Sequence, residues 1–135
     1  MAEHPVFFFD RCAGKKLPDA IRPLLPAGCV VAHWELYGDA PIQDDVWLRH
    51  CAERGWVVVT ADASFRKSQL TMTIVRQYGV GWFEINGNAS TQVHIAVLEL
   101  ALTRMVDAAN TTPRPFCYRI HKTGSITLKP LHPPS

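Results

Sequence analysis

The chain has 135 residues, of which 47% are hydrophobic and 19% charged; disorder as the main state is excluded. A chain of this length buries roughly two-thirds of its unfolded surface without disulfide or metal staples, so a single domain over residues 1–135 is expected. The formal net charge of +2 excludes a broad basic coat, and any binding of nucleic acid must come from a local patch.

The opening MAEHP has no basic start, and Asp10 directly follows three phenylalanines, which predicts no secretory signal. Pro5-Val6-Phe7-Phe8-Phe9 is a continuous apolar run, the pattern of a strand buried on both faces. Gly14 to Leu25 carries Leu17, Ile21, Leu24 and Leu25 at helical spacing. Pro18 is tolerated there in the first turn, and Pro23 should end or bend the helix. Pro26-Ala27-Gly28 is a turn and Cys29 to Ala32 a second strand, while Gly38 and Pro41 predict an irregular path over His33 to Ile42.

Asp44 to Arg54 is an amphipathic helix, with Trp47, Leu48 and Cys51 on its inner side, Asp45 and Arg49 set for an i,i+4 pair, and Gly55 as its stop. Trp56-Val57-Val58-Val59-Thr60 is β-branched and uncharged, a buried strand ending at Ala61-Asp62. Phe65 to Tyr78 reads as a helix ended by Gly79, Val80 to Ile85 as a fourth strand, and Ser90 to Ala109 as the longest helix. Phe116 to His121 and Ser125 to Leu128 flank Lys122-Thr123-Gly124, a hairpin signal, before a Pro-rich tail expected to fray.

Strands alternating with helices predict an α/β fold with a parallel sheet covered on both faces. The core should span about 5–110, with the hairpin and tail, about 114–135, as an appendage to it. The uncharged stretch Ile85 to Leu98 contains Asn86, Asn88, Gln92 and His94 and falls short of a membrane span. Cys12, Cys29, Cys51 and Cys117 form no C-x-x-C pair and are expected as reduced core thiols, which points to a reducing, cytoplasmic setting. The six histidines show no zinc-ligand spacing.

In open α/β sheets the reactive site lies beyond the carboxyl ends of the strands. Asp10 and Asp62 close two of the best strands, and Asp44 opens a helix at the same edge. Asp44 and Asp62 each also suit a helix N-cap, whereas Asp10 has no obvious capping partner. Three carboxylates converging there repel by several kcal/mol per close pair, about 4 at 4 Å for an effective dielectric near 20. A hard divalent cation, Mg²⁺ or Mn²⁺, relieves that repulsion and suits phosphate chemistry. Between Asp44 and Asp45, helical spacing aligns Asp44 with the inward stripe and Asp45 with Arg49 on the solvated side. Arg11, Lys15 and Lys16 after the first acid, and Arg66 and Lys67 after the third, are candidates to hold the backbone phosphates of a nucleic acid. Trp34, Tyr37 and Trp82 offer base-stacking rings, a role that competes with an ordinary core position.

The stretches Phe8-Phe9-Asp10-Arg11-Cys12-Ala13-Gly14-Lys15-Lys16-Leu17, Gln43-Asp44-Asp45-Val46-Trp47-Leu48 and Arg54-Gly55-Trp56-Val57-Val58-Val59-Thr60-Ala61-Asp62 resemble the PIN-like domains of VapC-type toxins from bacterial toxin–antitoxin modules. Pro115-Phe116-Cys117-Tyr118-Arg119-Ile120 with Gly124 resembles their C-terminal hairpin. The resemblance implies a three-layer α/β/α domain with a central, mostly parallel sheet. It also implies an Mg²⁺- or Mn²⁺-dependent endoribonuclease whose acids match Asp10, Asp44 and Asp62, and a cognate antitoxin protein as partner beside the RNA substrate. PIN domains often dimerise, so a second copy of the chain is a further expected partner. Such nucleases commonly carry a fourth acid where this chain has Ser64; Ser64, or Asn86 after the fourth strand, is the candidate to hold a metal-coordinated water instead.

Two other readings fail on single residues. A haloacid-dehalogenase-type phosphatase needs a second aspartate where Cys12 stands, and a response-regulator receiver needs a lysine after a late strand, whereas Lys122 lies in the hairpin turn. The remaining rival is a PIN-like fold without catalysis that binds RNA or protein.

Overall fold

The computed structural model describes residues 4–62, 67–86 and 88–131. Phe7–Phe9 forms strand β1, Lys16–Ile21 helix α1, Val30–Ala32 β2, His33–Tyr37 α2 and Asp44–Arg54 α3. Val57–Thr60 forms β3, Gln69–Tyr78 α4, Gly81–Glu84 β4, Thr91–Thr111 α5, Phe116–Ile120 β5 and Ile126–Lys129 β6. The six strands make one sheet in the order β2-β1-β3-β4-β5-β6, parallel throughout except that β6 runs antiparallel to β5. The fold is therefore α/β with a mostly parallel central sheet. The hairpin is not an appendage, because β5 pairs with β4 in parallel and so extends the sheet.

The uninterrupted apolar strands follow from burial on both faces. Phe7, Phe9, Val57, Val59 and Phe83 join a core cluster with Leu17 and Ile21 of α1 and Val97, Leu98, Ala101 and Met105 of α5. The residues between them, Phe8, Val58 and Trp82, face the other way, toward Trp47, Leu48 and Cys51 of α3 and Met72, Ile74 and Val75 of α4. The two-residue alternation of strand side chains divides each strand between two cores, one per helix layer.

The segment 14–25 is shorter in helix than its spacing suggests: α1 ends at Ile21 and a 3₁₀ turn over Arg22–Leu24 takes in Pro23, the bend that proline imposes. The irregular path expected for 33–42 is corrected. Glu35 Oε1 accepts from the Ala32 backbone N–H at 2.9 Å, half of a capping box that starts α2. Gly38 then stops it after five residues, its N–H bonding to Trp34 O. In α4, Ser68 accepts from Thr71 N as the N-cap; the predicted start at Phe65 lies outside the described residues, as do residues 132–135 of the tail. Cys29, Cys51 and Cys117 are buried, whereas Cys12, expected in the core, is exposed, because it sits in a 3₁₀ turn, Arg11–Ala13, beyond the end of β1. No helix among the described residues is long and apolar enough to cross a membrane.

One tight approach fixes β4 against β5. A Cβ on Gly81 would lie 2.4 Å from Cε2 of Phe116, its register partner. Replacing Gly81 by Ala forces either the ring or the strand to move, and we expect Gly81→Ala to lower unfolding stability by about 1–3 kcal/mol, the range for overpacking, read as a shift of the urea midpoint at unchanged slope.

Candidate functional site

The parallel register carries a row of polar side chains across the carboxyl edge of the sheet. Phe9 pairs with Val59, so the next residues, Asp10 and Thr60, stand side by side. Thr60 pairs with Glu84, and Glu84 with Arg119. By alternation these residues continue the face of Phe8, Val58 and Trp82, and the apolar strands end in them. Asp10, Thr60 and Glu84 are all buried, so their polar atoms need partners.

Thr60 is the hub at one end of the row. Its hydroxyl donates to Asp10 Oδ2 at 2.5 Å and accepts from the Asp62 backbone N–H at 3.0 Å, which uses its one proton and one lone pair. Asp10 Oδ1 accepts from Ala13 N at 3.2 Å, capping the turn after β1. Both Asp10 oxygens thus have partners. Burial nevertheless pushes its carboxyl up to about 7, opposed by those two hydrogen bonds and reinforced by the charges of Asp62 and Asp44. Cys12 senses the same charges: although the residue is exposed, its thiol is pushed up to about 11, by local burial first and then by Asp10, Asp62 and Asp44. The charges of Asp10, which follows β1, Asp44, which opens α3, and Asp62, which follows β3, therefore all reach the Cys12 thiol.

The three are not equivalent. Asp10 is buried, Asp62 half-buried and Asp44 exposed. Asp44 sits with Trp47 as its helical spacing predicts, but the expected burial is corrected: Asp44 is exposed and Asp45 is not. Asp44 is the first residue of α3, after the N-cap Gln43, and its Oδ1 accepts from Trp47 Nε1 at 3.0 Å. Asp45 is half-buried, its Oδ1 buried and without a hydrogen-bond partner among the described residues. Nor does Asp45 pair with Arg49, whose guanidinium lies over the Tyr78 ring, 5.7 Å from its centroid. Helical spacing presumes a full turn on either side, and at the first residue of a helix there is none behind it. Asp44, not Asp45, still contributes to the electrostatics of Asp10, Cys12 and His33.

Beside Asp62 opens a cavity of about 710 Å³ at the carboxyl ends of β3, β4 and β5, which neither Asp10 nor Asp44 lines. Cys12, Ala61 and Asp62 form one wall, Glu84 to Asn86 with Asn88 the floor, and Arg119 to Lys122 the opposite wall. Glu84 Oε1 accepts from Arg119 Nε at 3.0 Å and Nη2 at 2.9 Å. Thr60, Glu84 and Arg119 were missed by motif reading, because only their register across three strands gives them a common place. Asn86, a candidate from the sequence, lies at the cavity and is exposed; its Oδ1 accepts from Asn88 N at 3.0 Å and its carbonyl oxygen meets His94 Nε2.

Of the expected phosphate-binding residues, Arg11, Lys15, Lys16 and Lys67 are exposed, and none contributes to the cavity wall. Lys15 instead lies 3.9 Å from Asp39 and over the Trp34 ring. Ser64 and Arg66 lie outside the described residues. Trp82 is core and Tyr37 bonds His50 Nδ1 at 2.6 Å, while Trp34 is 38% exposed beneath Lys15.

Among the described residues no three His, Cys, Asp or Glu side chains stand close enough together to hold a metal ion, so Asp10, Asp44 and Asp62 do not form a closed ligand set. Their chemistry still fits Mg²⁺ or Mn²⁺: all donors are carboxylate oxygens, and Mg²⁺ usually keeps several waters and takes only one or two carboxylates beside a substrate phosphate.

The raised Asp10 gives a signed pH dependence. Its folded value, about 7, exceeds the 3.8 of the free group, so folding takes up a proton between the two. The stability that the protonated carboxyl contributes is complete below about pH 4 and lost as pH rises through about 7. At about 1.4 kcal/mol per unit, the wild type should lose a few kcal/mol relative to Asp10→Asn over that window, measured as the difference between their urea midpoints at successive pH values.

The family model described as "PIN like domain" matches residues 5–87, from just before β1 to past the end of β4. No curated protein and no solved structure matches the chain. The match covers more than half of the sequence, and the chain belongs to the PIN-like domain family.

Proposed function

We propose that the chain is a metal-dependent endoribonuclease of the VapC toxin type, partnered by a cognate antitoxin. The observation that carries this reading is Asp10: a buried carboxyl just past the end of β1, tied through the Thr60 hydroxyl to the backbone of Asp62, which lines an open cavity. Asp10 and Asp62 are the residues to hold Mg²⁺ or Mn²⁺, with Asp44 at the outer side. The bound ion supplies water activation and neutralises charge on the phosphate under attack. Thr60 orients Asp10 by donating to Oδ2 and fixes the start of the Asp62 segment by accepting its N–H. Burial of Asp10 keeps bulk water off its carboxyl. The net reaction adds water across an RNA phosphodiester, the water oxygen joining phosphorus as the ester oxygen departs with a proton.

The reading without catalysis, an RNA- or protein-binding module, is favoured by one observation: the three acids do not form a closed ligand group among the described residues. One experiment separates the two. Purified protein is incubated with end-labelled single-stranded RNA in Mg²⁺ or Mn²⁺. Cleavage should require the metal and fall by at least a hundredfold in Asp10→Asn and Asp62→Asn, while both variants keep their circular dichroism. Wild-type cleavage by Asp10→Asn would sink the mechanism. Millimolar Mn²⁺ should raise the wild-type Tm by several degrees, since a ligand at 100 times its Kd adds about 2.7 kcal/mol. The increase should be lost in Asp10→Asn.

A further inference from the structure

The cavity beside the acids is asymmetric in charge. One wall carries Asp62 and Cys12, next to Asp10; the other carries Arg119 at the end of β5 and His121 and Lys122 in the hairpin turn. Arg119 is the cation of the polar row, and it is held, not loose. Glu84, 3% exposed, accepts from both Nε and Nη2. A guanidinium fixed on one edge by a buried carboxylate loses little further freedom when another anion meets it. Nη1 has no hydrogen-bond partner among the described residues. Lys122 is exposed in the turn above it, while His121 is already engaged, with Nε2 2.6 Å from Thr127 Oγ1.

An opening of about 710 Å³ is in the range of pockets that enclose one small ligand, about 300–1,000 Å³. That is room for a nucleotide or two of an unpaired strand and too little for a duplex. We propose that Arg119 and Lys122 form a backbone-phosphate subsite for single-stranded RNA across the cavity from the acids, with Glu84 as the residue that positions Arg119. The proposal rests on the ribonuclease reading for its choice of RNA, and it moves the substrate grip away from Arg11, Lys15, Lys16 and Lys67 to the C-terminal hairpin. The two walls then act differently on one strand: the basic wall holds a phosphate, and the acidic wall meets its neighbour.

The test reads binding without turnover. Fluorescence polarisation of a labelled ten-nucleotide single-stranded RNA is measured in EDTA over a range of KCl concentrations. Each phosphate contact on a single strand contributes about 0.7 to the slope of log affinity against log salt. Lys122→Ala and Arg119→Ala should each lower that slope by about this amount and weaken binding several-fold. Lys122 is exposed, so its variant tests the subsite without touching the core. Glu84→Gln gives the sign that separates positioning from simple charge. Removing a negative charge beside RNA by itself tightens binding, whereas loss of the Arg119 anchor weakens it, and weakening is expected.

Unchanged slopes in Lys122→Ala and Arg119→Ala would overturn the proposal, as would loss of slope confined to a Lys15→Ala, Lys16→Ala double variant. Tighter binding by Glu84→Gln would overturn its positioning role. The cleavage assay with Asp10→Asn stands apart from all of these. Cleavage with unchanged slopes removes the subsite and keeps the nuclease, and changed slopes without cleavage do the reverse.

Discussion

The register of the parallel sheet is the constraint on which the site depends. Strand side chains alternate between two buried faces, so where the apolar runs stop together, the next residues on one face stand in line. Asp10, Thr60, Glu84 and Arg119 come from four stretches of sequence and meet at one edge only because β1, β3, β4 and β5 are in step. A slip of one residue in any strand would send its polar group into the opposite core. The apolar alternation that resists such a slip, Phe8 between Phe7 and Phe9 and Val58 between Val57 and Val59, is thus also what aligns the chemistry.

Within that row, charge is managed in two opposite ways. At the β4–β5 end the buried Glu84 has an Arg across the strand pair, and two charge-assisted hydrogen bonds offset its desolvation. At the β1–β3 end the buried Asp10 has, among the described residues, a hydroxyl and a backbone N–H as donors, with two further acids in range. Neutral donors stabilise a carboxylate less than a cation does, and its ionised form is accordingly disfavoured. A buried acid whose carboxyl is raised by desolvation at the open edge of an α/β sheet is a common signature of a functional position.

Much of this was legible in the sequence and some was not, for separable reasons. The strands at 7–9 and 57–60 and the helix over 44–54 follow from uninterrupted β-branched or aromatic runs and from helical spacing closed by Gly55, and they stand where those patterns put them. Asp10 and Asp62 were found because a charge directly after such a run is conspicuous. Thr60 was read only as the last residue of a strand, since a hydroxyl carries no pattern of its own. Glu84 and Arg119 lie 35 residues apart and are joined by a register that no local window contains. Helical spacing put Asp44 with Trp47, from whose indole it accepts, and its charge reaches Asp10, but the spacing did not anticipate the half-burial of Asp45 in the first turn. The five-residue α2 was hidden by Gly38, which marks its end, not a break in a longer element.

The sheet order also leaves two outer strands, and both are poor templates for pairing with another chain. β2 is three residues long and leads at once into α2, so little free backbone is offered along it. β6 is four residues long, closes with Lys129 and is followed by Pro130, which has no N–H to donate. Short edges, a terminal lysine and a proline are the devices by which natural sheets resist growing strand by strand into aggregates. By running antiparallel, β6 closes the sheet of the described residues with a strand that is itself unsuited to be extended.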